Sequence, residues 1–72
     1  MAIMKSVRAT HTAAMGDFLA WPTDALRTKA GELGVEAAVH YATGDRAKGF
    51  RLATLASAAE QVLCLRGHSH RR

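Results

Sequence analysis

The sequence predicts an all-α fold: a three-helix bundle built on an antiparallel helical hairpin, with helices over about 2–21, 23–43 and 45–66. Three observations predict it. Apolar and small residues recur at intervals of three and four on both sides of Gly44-Asp45: Leu26, Ala30, Leu33, Ala37 and Tyr41 before it, and Leu52, Ala56, Ala59 and Leu63 after it, with Arg66 completing the second row. That is helical spacing, not the spacing of two that a strand requires. Gly44 and Asp45 have the chemistry of one helix ending and the next beginning, since Gly takes the left-handed conformation at C′ and Asp accepts from the free N–H groups of a first turn. Finally, much of the apolar content is alanine, the best helix former and a poor strand residue.

The first helix places Ile3, Val7, Ala14, Phe18 and Trp21 on one face, with Met4, Met15 and Leu19 beside it. Pro22 stops it, because the residue before a proline is pushed out of the helical region. Thr23 then stands as a candidate N-cap for the second helix, with Asp24 in the first turn where a negative charge suits the helix dipole. Gly31 and Gly34 lie inside that helix, and each costs about 1 kcal/mol relative to Ala. Rows of small residues, Ala30, Gly34, Ala38 and Ala42 on one arm and Gly49, Ala53 and Ser57 on the other, suggest close approach of the two backbones as the reason. Gly67 ends the third helix. Each arm of the hairpin is then about 20 residues, or about 30 Å, long.

The rival is a small α+β fold with a β-hairpin at 35–55. Val35, Ala37, Val39 and Tyr41 also alternate with their neighbours, Phe50, Leu52 and Thr54 could pair with them, and Ser57-Ala58-Ala59-Glu60 could then open a short last helix as a capping box. The alanine content favours the helical reading.

With 72 residues there is room for one domain, 1–66, followed by a polar, basic tail, 67–72. Large apolar side chains are few in so short a chain, so self-association into a homo-oligomer or a complex with a protein partner is expected. A single cysteine, Cys64, excludes an internal disulfide framework and reads as a small buried hydrophobe in a reducing, cytoplasmic setting. No apolar run approaches the roughly 20 residues of a membrane span. Cys64, His68 and His70 are the one metal-like grouping, and Gly67 interrupts it, so no metal is expected. His11 and His40 fall among apolar positions, as packed histidines do. With no nucleophile–base pairing at a useful spacing and no glycine-rich phosphate motif, neither an enzyme nor a cofactor is expected.

Charge is distributed unevenly. Residues 1–11 carry Lys5 and Arg8 without an acid, the middle of the chain is acidic, and from Arg46 onward six basic residues face only Glu60. The expected function is binding, as a protein–protein interaction or regulatory subunit with Trp21, Tyr41, Phe50 and Leu55 as interface anchors. The alternative is a nucleic-acid-binding regulator, contacting phosphates through Arg46, Lys48, Arg51, Arg66, Arg71 and Arg72. A helix-turn-helix for that purpose can be sought at Leu26 to Thr43, where Ala30 and Gly34 would let two helices cross closely. Downstream, Gly49-Phe50-Arg51-Leu52 is similar to the wing segment of MerR-family regulators, a likeness that implies DNA binding but covers no diagnostic motif.

Overall fold

The computed structural model describes residues 2–67, and of residues 2–6 the backbone alone. Three helices follow one another: α1 (Ala2–Phe18), α2 (Thr23–Ala42) and α3 (Arg46–Leu65). The β-hairpin alternative does not form, because Val35 to Ala42 lie in α2 and Phe50 to Leu55 lie in α3, as do Ser57 to Glu60.

The first turn departs from expectation in two ways. α1 stops at Phe18 rather than Trp21. The chain tightens just before Pro22, with the Ala20 N–H donating to the Asp17 carbonyl (3.3 Å) and the Trp21 N–H to the Phe18 carbonyl (3.0 Å). Trp21 is thereby released to make a T-shaped contact with Phe18, with centroids 5.4 Å apart and planes at 85°, an aromatic pairing that adds about 0.5–1.5 kcal/mol beyond burial. Thr23 is not an N-cap. α2 begins at Thr23 itself behind an extended Pro22, which supplies no side-chain cap, and the Thr23 hydroxyl is used elsewhere.

The second turn forms as its chemistry requires. Gly44 has φ +92°, the Asp45 N–H donates to the His40 carbonyl (2.8 Å) and the Gly44 N–H to the Tyr41 carbonyl (3.2 Å). These two bonds are those of a Schellman motif, which satisfies carbonyls left open at the end of α2. Asp45 then caps α3, its carboxylate accepting from the Lys48 N–H at 3.2 Å.

The core gathers Ala14 and Phe18 of α1, Leu26, Ala30 and Leu33 of α2, and Ala58, Ala59, Val62 and Leu63 of α3. Leu26 and Val62 are its largest fully enclosed side chains, and burying side chains such as these stabilises the fold by about 1.5–3 kcal/mol each. α3 is the middle element: α1 and α2 both pack on it and barely meet each other. Toward the hinge the core narrows to Ala37 and Gly49. A Cβ built on Gly49 would lie 3.1 Å from the Tyr41 ring and 3.2 Å from the Ala37 carbonyl oxygen, so the two backbones approach closely there.

Most of the small row expected on α2 does not take part in the contact. Gly34, Ala38 and Ala42 are exposed, and a Cβ on Gly31 or Gly34 would meet nothing within 4 Å. α2 turns its Leu26, Ala30, Leu33 and Ala37 stripe to α3, which leaves Ala30 as the one member of the small row in the core. Cys64, expected to be buried, is exposed.

Candidate interaction surface at the hinge

The Schellman closure and the Asp45 cap fix the end of α2 against the start of α3. Tyr41, in the last turn of α2, lies over Gly49 with 43% of its surface exposed, and Phe50, in the second turn of α3, is 48% exposed. Gly49 leaves no room for a side chain between the helices at this level, since its Cβ position is already crowded by the Tyr41 ring and the Ala37 carbonyl. Arg46, Lys48 and Arg51 stand exposed in the same stretch. Among the described residues the one Arg or Lys paired with a carboxylate is Arg27, with Asp24 (3.7 Å), and the Asp45 carboxylate lies 4.0 Å from the His40 ring, so none of these three cations is held by a carboxylate. Arg46 and Lys48 also occupy the first turn of α3, the positive end of the helix dipole, which disfavours cations by about 0.3–1 kcal/mol at exposed positions. Local stability does not account for them.

The four proposed anchors do not share a face. Tyr41 and Phe50 flank the hinge, whereas Trp21 is half-buried against Phe18 in the α1–α2 turn and Leu55 packs on the core from the middle of α3. The basic residues divide as well. Arg66 lies at the opposite end of α3, where its Nη1 donates to the Thr23 hydroxyl (3.1 Å) and its Nη2 to the Leu19 carbonyl (2.9 Å). It is thereby a strap across the α1–α2 turn, at the far end of α3 from Arg46, Lys48 and Arg51. Arg71 and Arg72 lie outside the described residues, as do His68 and His70.

No helix-turn-helix occurs at the expected position, since Leu26 to Ala42 form one uninterrupted helix through Gly34. Nor is there a wing at Gly49 to Leu52, which lie in α3. His11 and His40 are half-buried, His40 beside the Asp45 carboxylate. No cluster of three His, Cys, Asp or Glu side chains suited to a metal occurs among the described residues, and no described helix is long and apolar enough to cross a membrane.

A second exposed apolar region went unrecognised in the sequence. Val35 and Val39 project from the outer side of α2. Their spacing of four, out of phase with the Leu26, Ala30, Leu33 and Ala37 stripe, is the signal that could have located it. Neither protein-family models, curated proteins nor solved structures give a match to this chain.

Proposed function

We propose that this chain is a protein–protein interaction module whose hinge end, with Tyr41 and Phe50 framed by Arg46, Lys48 and Arg51, docks an acidic, amphipathic partner. One observation carries the reading: two half-exposed aromatic rings and three exposed cations belong to the same short stretch around the hinge, and among the described residues no carboxylate engages those cations. Aromatic residues on a rigid support lose little conformational entropy on binding and are the usual centres of interface energy. Surrounding cations add orientation and association rate more than affinity.

The same cations favour a second reading, in which a single-stranded nucleic acid stacks its bases on Tyr41 and Phe50 while Arg46, Lys48 and Arg51 take its phosphates. Salt separates the two. For a protein partner captured by the full chain, Phe50→Ala is expected to weaken binding by about tenfold or more, and the complex to survive salt that strips phosphate contacts. For a nucleic acid, titration of a labelled single strand is expected to give affinity that collapses between low and physiological salt and disappears in Arg46→Ala/Lys48→Ala/Arg51→Ala. A partner complex indifferent to Phe50→Ala overturns the first reading, and absence of nucleic-acid binding at low salt overturns the second.

A further inference from the structure

We infer that the outer side of α2 pairs, in parallel, with the same side of a second copy of this chain. This goes beyond the hinge-end reading and does not depend on it. α2 is buried on one side only. Leu26, Ala30, Leu33 and Ala37 face α3, while Thr28, Gly31, Val35, Ala38 and Ala42 on the far side are exposed. Val35 is 65% exposed and Val39 53%. The five positions follow one another at intervals of three, four, three and four, the a/d repeat of a coiled-coil seam. A shallow depression lined by Arg27, Thr28, Gly31, Glu32, Val35 and Glu36 runs along the first half of this seam.

The charges at its edges say what covers it. With Thr28 and Val35 at a, Arg27 falls at g and Glu32 at the e position five residues later. In a parallel pair the g residue of one helix meets the following e residue of the other, so Arg27 reaches Glu32 of the second copy, and two-fold symmetry repeats the pair. The same register sets Gly34 at g against Val39 at e, an isopropyl group over a place where no side chain stands. An antiparallel pair centred on Val35 loses both matches: Arg27 comes level with Thr43 of the copy and Glu32 with Ala38. Arg27 is available for the exchange, because its contact with Asp24 in the same helix is 3.7 Å between two largely exposed side chains. Asp24, one turn before Thr28 on this side, would face its own copy, like charge to like, so the contact begins at Thr28. A seam from there to Ala42 is about 21 Å long, which places the pair among small, concentration-dependent interfaces.

The test is sedimentation equilibrium of the full chain over a wide concentration range. A monomer–dimer equilibrium is expected, weakened by about tenfold or more in Val35→Glu, weakened also in Arg27→Glu, and recovered in Arg27→Glu/Glu32→Arg. Gly34→Ala is expected to weaken the dimer while leaving the monomer at least as stable, which separates association from folding. In a Cys64→Ser background, Thr28→Cys is expected to oxidise to a dimer linked through position 28. A monomer at every concentration overturns the inference, as does a dimer unaffected by Val35→Glu or one that fails to cross-link through residue 28.

Discussion

Asp45 is shared between two helices: its N–H closes α2 and its carboxylate opens α3, so the hinge contains no spare residue. Arg66 joins what the chain separates by more than 40 positions, holding Leu19 and Thr23 from the end of α3. Replacing it with Met keeps the stem and removes both bonds, and a loss of about 1 kcal/mol is expected in urea unfolding. Arg66→Lys should recover little of that, since one ammonium cannot reproduce the fork that spans a carbonyl and a hydroxyl. The glycines supply an opposed pair of outcomes. Gly49→Val is expected to destabilise by about 1–3 kcal/mol, because the added atoms press on the Ala37 carbonyl, which moves only if α2 moves. Gly34→Ala, with empty space around it, is expected to stabilise the monomer by up to about 1 kcal/mol. Thermal unfolding of both variants at low protein concentration checks the contrast.

At the scale of the element, α2 is a helix with two edges of use, one turned to α3 and one to solvent. Leu26 anchors the inner edge with no exposed surface. Leu26→Ala is expected to remove about 2–5 kcal/mol from a domain whose total stability is roughly 4–11 kcal/mol at this length, so circular dichroism should find the variant partly or wholly unfolded on mild heating. The stripe through Leu26, Ala30, Leu33 and Ala37 could be read directly from residue order, because Leu at helical spacing contrasts with the polar residues between. The hinge could be read for a different reason: Gly and Asp each have a local requirement that neighbouring residues state. Which small residues meet α3 could not be read. Ala30, Gly34, Ala38 and Ala42 make as regular a row as the true one, and alanine is at home in contact or in water. Arg66 was legible only as the end of the Leu52, Ala56, Ala59 and Leu63 row; its bonds were not, since its partners lie far away in sequence and a guanidinium beside a basic tail has the composition of a binding residue.

At the scale of the molecule, the two basic clusters separate along the length of α3. Arg46, Lys48 and Arg51 are exposed at the hinge with no carboxylate partner among the described residues, while Arg66 is engaged at the other end. The proposed contacts therefore concentrate at one pole, and pairing along α2 in parallel would set two such poles side by side, raising effective concentration for any partner with repeated sites. The hairpin expected from the sequence already sets Arg46 and Lys48 at one end of its second arm and Arg66 at the other, and the structure adds that Arg66 is tied to the α1–α2 turn. The central position of α3 also bears on how this chain can change over generations. Ala58 and Ala59 have no exposed surface and neighbours on both sides, so any larger residue there must push an adjoining helix away. Inherited variation should thus be scarce at Ala58, Ala59, Val62 and Leu63 and plentiful at Ser57, Glu60, Gln61 and Cys64, which share the same helix but look outward.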